Sequence, residues 1–405
     1  MKTSLKKRYE LIFLVVLTAA LASYGYYALR RPLPELKPAV AQTQLQLHTL
    51  VGKFTWPAYG SAALGLVGVD EIVTNGAQKS VPTASTAKVL TALSVLHRKP
   101  LALGQPGPTI TLTAADVAIY DHYVTNDGSV VPVRSGEQIT EYQMLQAILL
   151  PSANNLADSL AIWAFGSLSD YRIYAADYAQ QLGLSNTKVG SDASGLAPDS
   201  TSTAHDLVLL GKAAMNNPVL AAIFSQASAS DIPNVGAIDN VNYLLGTSGI
   251  VGIKTGNSDQ AGGVFLSASN RVIDSKTVTL ITAVLGAPNL GRALSDSLPL
   301  IRSAQTNFSA NTLIQPNNVV GHYDLPWGGQ VSAISKTALT VTAWNGATIP
   351  VTIRLDPIKA SARSGQIIGA MTAQRSQVSG QVNSPIVLTQ ALAQPSVWWR
   401  LSHGF

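Results

Sequence analysis

Ser85 and Lys88 stand three residues apart at the start of a helix-patterned segment, so their side chains share one helix face. A serine hydroxyl attacks only after a base takes its proton. Lysine can be that base when it is neutral, which requires burial or a neighbouring positive charge. Further along, Ser152-Ala153-Asn154 supplies a second hydroxyl and a primary amide, and Lys254-Thr255-Gly256 supplies a second ammonium, a hydroxyl and a small residue. Together these groups can form and discharge a serine ester. The chain has no cysteine and six scattered histidines, so few other means of activating a nucleophile are open.

Each group has a place in such chemistry. A serine at a helix start turns its backbone N–H toward developing negative charge, helped by the helix dipole. Lys254, brought alongside, would supply the positive charge that keeps Lys88 neutral. Ser152 can relay a proton between Lys88 and a leaving amine. Asn154 both donates and accepts, which suits holding a substrate peptide group and orienting Lys88. Lys254 and Thr255 fit a terminal carboxylate, and Gly256 lets a substrate backbone come close. The oxyanion would sit between the N–H groups of Ser85 and Asn257.

No single triplet carries this reading. Ser-x-x-Lys also occurs at Ser4–Lys7 and Ser185–Lys188, and Ser-Ala-Asn recurs at Ser309–Asn311, whereas Lys-Thr-Gly occurs once. An isolated Ser-x-x-Lys is ordinarily a helix cap followed by a solvated lysine, and a Lys-Thr-Gly at a strand end is ordinarily a turn. The order of the three elements and their settings reverse that weighing. Ser152 follows Ser85 by 67 residues and Lys254 follows Ser152 by 102, room for a helical layer between nucleophile and third element.

The surrounding patterns supply those settings. From Leu45 to Val81, short β-type runs (Ala62–Val67, Glu71–Val73) with Gly and Asn-Gly turns read as an antiparallel start. Ser85 to Arg98 carries Ala87, Leu90, Ala92, Leu93 and Leu96 on one helical stripe, with His97-Arg98-Lys99 at the end and Pro100 as a stop. Thr140-Glu141-Tyr142-Gln143 is a capping-box pattern opening a helix that Pro151 breaks before Ser152. Residues 155–165, 170–182 and 203–215 read as helices; 250–255, 263–268 and 278–285 read as strands. Strands, helices and strands again imply an α+β domain with one antiparallel sheet covered by helices.

Near residue 310 the character changes to short strands punctuated by Pro316-Asn317-Asn318 and Pro326-Trp327-Gly328-Gly329. Leu339–Trp344 and Ile349–Leu355 flank Asn345-Gly346, a hairpin signal. The expected organisation is a membrane segment over 1–31, a linker over 32–44, a catalytic domain over 45–308, a small all-β domain over 309–394 and a tail over 395–405. The tail carries Trp398 and Trp399 and would dock on the β domain or touch a membrane surface.

The net charge of +5 resides entirely in the first 37 residues, so no basic footprint for nucleic acid remains. Lys6, Lys7 and Arg8 precede an apolar run from Leu11 to Leu29 closed by Arg30-Arg31. The positive flank stays cytoplasmic and sends the rest outward. Cleavage after Ala20-Leu21-Ala22 would make this a signal peptide. A retained anchor would use the whole run, about the 20 residues a span needs, with Tyr24, Tyr26 and Tyr27 at the interface. The retained anchor is the expectation, with a secreted or periplasmic protein as the alternative. His97 and His205 read as helix-surface or packing residues. No histidine pair has metal-ligand spacing, so no metal and no cofactor are expected.

The three elements in this order resemble the signature of penicillin-recognising serine enzymes. The likeness extends to Val81-Pro82-Thr83-Ala84 before the nucleophile and Leu149-Leu150-Pro151 before Ser152. It includes Asp192-Ala193-Ser194-Gly195-Leu196 with Ser202–Leu207, a stretch read as having no catalytic role. It continues through Asn242-Tyr243-Leu244-Leu245, Gly252-Ile253 before Lys254, and Trp327-Gly328-Gly329. Over about residues 50 to 400 the chain resembles the D-alanyl-D-alanine carboxypeptidases, low-molecular-mass penicillin-binding proteins. That resemblance implies a β-lactamase/transpeptidase-like domain followed by a small β domain. It implies peptidoglycan stem peptides as substrates, β-lactams as covalent inhibitors and a monomeric enzyme. It also implies Ser85, Lys88 and Ser152 as catalytic residues, with Asn154, Lys254, Thr255, Gly256 and Asn257 binding substrate. Asn155 and Asn257 depart from the family's usual acidic residue and His or Thr at those places. A β-lactamase that activates water with a glutamate beyond the second element is disfavoured, because no glutamate follows Glu141. A DD-endopeptidase and a non-catalytic wall-binding protein are the other rivals, the last opposed by the full catalytic set.

Overall fold

The computed structural model describes residues 2–48, 52–273, 276–373 and 381–403. The chain divides into two compact units: Gly52–Ser309, and a second unit made of residues on either side of it.

The sheet of the 52–309 unit has five strands in the order Ile250–Ser258, Gly262–Ile273, Lys276–Ala287, Ser61–Leu66, Ile72–Asn75, all antiparallel neighbours. Strand alternation gives the sheet two buried faces. Val264, Leu266 and Ala268 with Ile281, Ala283 and Leu285 share a core with the helices, whereas Phe265 and Val284 are buried outside that cluster. The helical layer comprises α2 (Ala87–Arg98), α3 (Ala114–Thr125), α4 (Glu141–Leu149), α5 (Asn154–Phe165), α6 (Leu168–Gln181), α7 (Ala204–Met215) and α8 (Pro218–Phe224). Helix α9 (Leu290–Asn307) buries Ala293, Leu294, Ser297, Leu300, Ile301 and Ala304, a stripe at i, i+1, i+4, i+7, i+8 and i+11. Each large aliphatic on it contributes about 1.5–3 kcal/mol by burial.

The helix starts follow their local chemistry. Thr140 caps α4, its hydroxyl accepting from Gln143 N–H at 3.2 Å while the Gln143 side chain accepts from Thr140 N–H at 3.0 Å. Thr203 caps α7 through Asp206 N–H at 3.1 Å. Gly211 on α7 faces the sheet so closely that a Cβ there would lie 2.6 Å from Ile281, which brings the helix axis down onto the strands. This is the α+β arrangement expected.

The second unit carries a six-stranded antiparallel sheet in the order Gln42–His48, Thr348–Leu355, Ile367–Ala373, Val382–Leu388, Gln330–Ser335, Val319–Asp324. Two expectations are corrected here. Gln42–His48, read as the end of a linker and the start of the catalytic domain, is an edge strand of this sheet, registered Gln42 to Arg354 through His48 to Thr348. Its alternating exposed and half-buried pattern is that of a strand with one covered face. Asn345-Gly346 does turn the chain, with Gly346 at φ 95°, but it does not close a hairpin. Leu339–Trp344 pairs with Phe308–Ile314, while Thr348–Leu355 pairs with Gln42–His48 and Ile367–Ala373. Thr348–Leu355 thus sits inside the six-stranded sheet, while Leu339–Trp344 forms a separate two-stranded sheet with Phe308–Ile314.

Helix α1 (Lys2–Arg30) is apolar and exposed along most of its length, and Leu5–Arg30 is long enough to cross a membrane. The tail forms α10 (Val397–Ser402), capped by Ser396. Trp399 packs edge-on against Trp327 and donates to the Pro326 carbonyl at 3.2 Å. Arg400 donates to the Leu29 and Arg31 carbonyls at 2.9 and 3.2 Å, and the Tyr24 hydroxyl donates to the Leu401 carbonyl at 2.7 Å. The tail thus docks on the β sheet's loop and on the end of α1, leaving Val397 and Trp398 exposed.

Candidate active site

Ser85 lies in a single 3₁₀ turn, Ala84–Thr86, that runs directly into α2. Ala84 just before it is held at φ 45°, a conformation L-residues avoid unless the surroundings enforce it. Gly195 leaves room for this turn: a Cβ on it would come within 2.2 Å of the Ala84 carbonyl oxygen. Ser85 is half-buried, whereas Lys88, one turn on, is fully buried.

The Lys88 amine has three partners: Ser85 Oγ at 2.8 Å, Asn154 Oδ1 at 2.6 Å and the Ser194 carbonyl at 3.0 Å. Burial pushes Lys88 down to about 7, against the carboxylates of Asp192 and Asp158, which favour its charged form. A lysine near 7 is a competent base at neutral pH. Burial and the charge of Lys254 were the two expected sources of this shift. Desolvation dominates, and Lys254 is itself driven well below the usual lysine range, first by burial and then by Lys88.

Asn154 is the first residue of α5, and its own N–H donates to the Ser129 carbonyl at 2.7 Å. Ser152, two residues earlier, is buried at φ 70° and its hydroxyl has no hydrogen-bond partner among the described residues. Its hydroxyl makes no bond to Lys88 here. Asn155 spans the Val131 backbone, accepting its N–H at 3.1 Å and donating to its carbonyl at 2.9 Å. Asn155, one of the two residues that depart from the family pattern, is therefore a packing element.

Lys254, Thr255, Gly256 and Asn257 lie on the edge strand Ile250–Ser258, opposite Leu266, Phe265, Val264 and Gly263. Lys254 and Thr255 are buried, Asn257 is exposed, and the Lys254 amine donates to the Thr255 carbonyl at 3.1 Å. A Cβ at position 256 would lie 2.8 Å from the Thr83 carbonyl and 3.3 Å from the Ala84 Cβ. Gly256 thus lets the edge strand close onto the nucleophile's turn, a packing role beside the substrate approach expected of it. An edge strand with an open side can accept an extended peptide as a further strand.

Ser85, Lys88, Asn154 and the third element are therefore brought together. Sequence reasoning missed the Ser194 carbonyl. Asp192–Leu196 was expected to play no part, yet it delivers that carbonyl to Lys88. The signal was present in Asp192, whose carboxylate accepts the N–H groups of Ser194, Gly195 and Ala197 at 3.0, 2.6 and 2.7 Å and so shapes a tight loop. Among the described residues no group of three or more His, Asp or Glu side chains is placed to hold a metal ion.

This fold is that of the penicillin-binding proteins: penicillin-binding protein 5 of Haemophilus influenzae superposes with a TM-score of 0.58 at 18% identity, over 84% of this chain and 98% of that one. The chain belongs to the D-alanyl-D-alanine carboxypeptidase family, whose profile matches residues 70–289. It is 32% identical over 196 residues to the D-alanyl-D-alanine carboxypeptidase DacB2 of Mycobacterium tuberculosis, covering 47% of this chain and 62% of that protein. It is 28% identical over 269 residues to a D-alanyl-D-alanine carboxypeptidase of a Streptomyces species, covering 62% and 89%.

Proposed function

We propose that this chain is an extracytoplasmic serine D-Ala-D-Ala carboxypeptidase that removes the terminal D-alanine of peptidoglycan stem peptides and is acylated by β-lactams. The observation that carries the reading is the buried Lys88 amine 2.8 Å from Ser85 Oγ. Neutral Lys88 takes the Ser85 proton as Oγ attacks the penultimate D-alanine carbonyl. The oxyanion is met by the N–H groups of Ser85 and Asn257. The C–N bond then breaks, and the leaving D-alanine amine takes a proton from Lys88, with Ser152 as relay. Water, losing its proton to the same lysine, cleaves the ester and frees Ser85. Lys254 and Thr255 hold the terminal carboxylate, whose charge returns Lys254 to its protonated form.

Mass spectrometry of a synthetic stem peptide ending in D-Ala-D-Ala tests this. Loss of one alanine supports it, whereas cleavage only of cross-linked dimers makes the protein an endopeptidase. Fluorescent penicillin separates the other rivals: a β-lactamase releases the adduct quickly, and a wall-binding protein forms none.

We further propose that α1 is retained as a membrane anchor and that the protein acts as a monomer. The Arg400 and Tyr24 contacts support retention by tying the end of α1 to the folded tail. The mass of the mature protein tests it: loss of the first 22 residues would show cleavage after Ala22.

A further inference from the structure

A carboxylate that the chemistry above does not use stands behind Lys88. Asp158 follows Asn154 by one turn of α5, so one helix face carries both the amide on Lys88 and this acid. Asp158 is buried; Oδ2 accepts from the Tyr123 hydroxyl at 2.7 Å and Oδ1 from the Ala193 N–H at 2.8 Å. The Tyr123 hydroxyl also lies 3.3 Å from Ser194 Oγ. On the other side, Thr91 of α2 donates to the Ala193 carbonyl at 2.7 Å, and Lys88 donates to the Ser194 carbonyl at 3.0 Å. The Ala193–Ser194 segment is thus gripped between α3 and α5 on one side and α2 on the other.

That grip decides where the lysine's lone pair points. A neutral amine has two N–H donors and one lone pair. Asn154 Oδ1 and the Ser194 carbonyl are acceptors only, so they take the two hydrogens, and the lone pair is left facing Ser85 Oγ. Without the carbonyl, the amine can turn a hydrogen toward Ser85 and is no longer aimed as a base.

We infer that Asp158 is a positioning residue: with Tyr123 it pins Ala193–Ser194 so that the Ser194 carbonyl orients the Lys88 amine toward Ser85. The inference rests on the serine–lysine reading of this site. Asp158 also acts on Lys88 through its charge. The titratable groups set against Lys88 are Asp158 on α5, Asp192 in its loop, Lys254 on the edge strand, Tyr123 on α3 and Tyr171 on α6. Asp158 and Asp192 raise the lysine's proton affinity against its burial. Burial pushes Asp158 up to about 6, while its hydrogen bonds from Tyr123 and Ala193 favour its charged form. Asp158 lines a cavity of about 580 Å³ with His122, Tyr123 and Asp192.

The test is the acylation rate by fluorescent penicillin per folded molecule of the full-length protein, from about pH 5 to 9, with KM for a stem peptide measured alongside. Asp158→Asn keeps the shape without the charge, and Tyr123→Phe removes only the hydroxyl. Acylation should fall about fivefold or more in each, roughly the loss of one buried hydrogen bond, with KM within twofold. In Asp158→Asn the acid limb should also move about one pH unit lower, because a counter-charge near Lys88 is gone. If both variants acylate within twofold of wild type with an unmoved acid limb, even at lowered thermal stability, the role is merely structural and the inference falls. A wild-type protein that takes no penicillin at any pH would instead sink the serine–lysine reading, and the inference with it.

Discussion

In the proposed mechanism Lys88 carries most of the chemistry because three constraints meet on one amine: burial, a neighbouring hydroxyl and two obligate acceptors. Replacing Ser85 by alanine should abolish both penicillin acylation and D-alanine release. An adduct mapped to another serine in the wild type would overturn the assignment. Lys88→Arg keeps the charge but cannot give up its proton, so acylation should fall more than tenfold. The pH profile has a defined sign: Lys88 is a base pushed down to about 7, so acylation rises as pH climbs through that value and levels off above it. A plateau extending down to about pH 5 would mean that Lys88 is not the base.

Lys254 has a separate proposed duty to the substrate carboxylate. Charge-assisted hydrogen bonds to such a group are worth about 1.5–3 kcal/mol, or roughly 10- to 150-fold in kcat/KM. The wild type should discriminate strongly against a stem peptide with an amidated C-terminus, and Lys254→Ala should lose most of that discrimination. Equal discrimination in both would remove the reason for preferring a carboxypeptidase. The decoy at Ser185–Lys188 shows how local setting decides such matters. It has the same spacing but runs from an exposed turn into a β-bridge between Lys188 and Thr201, with no helix to bury its lysine.

Secondary structure was largely legible because it follows local rules: the Thr140 capping box, the stripe on α2 and the β-rich runs after Ile250 all appear where their patterns place them. What failed was pairing between distant strands, which no local signal specifies. Asn345-Gly346 favours a hairpin, but the flanking strands find longer-range partners. The Ser194 carbonyl was hidden for a related reason, since a backbone atom leaves no residue type to recognise. The edge strand and the nucleophile's turn offer a direct check on element packing. Gly256→Ala sets a Cβ 2.8 Å from the Thr83 carbonyl, a backbone atom that can yield only by moving the turn. Overpacking of this kind costs roughly 1–3 kcal/mol, and displacing Ser85 should slow acylation by about 10- to 100-fold. Acylation at the wild-type rate would show that the turn tolerates the shift.

At the level of the chain, the 52–309 unit is an insertion within the second unit, whose first strand precedes it and whose remaining strands follow it. A soluble form beginning near residue 40 should therefore unfold at a higher temperature than one beginning at residue 52, which lacks the edge strand opposite Thr348–Leu355. The difference should appear in the melting of the β unit, while penicillin acylation per folded molecule stays within about twofold in both, since no site residue precedes Ser85. Equal melting of the two forms would show that the strand adds nothing to the sheet.

On the proposed extracytoplasmic location, the same pairing sets an order of events during export. Gln42–His48 emerges among the first residues beyond the apolar segment, yet its partner Thr348–Leu355 follows about 300 residues later. Contacts of such sequence separation form slowly, and domains fold as units during synthesis. The serine–lysine unit can therefore fold while the early strand still waits. Throughout that interval the waiting strand is an unsatisfied β edge, which on the proposed anchoring lies beside the membrane and is the point at which crowded secretion would first produce aggregates.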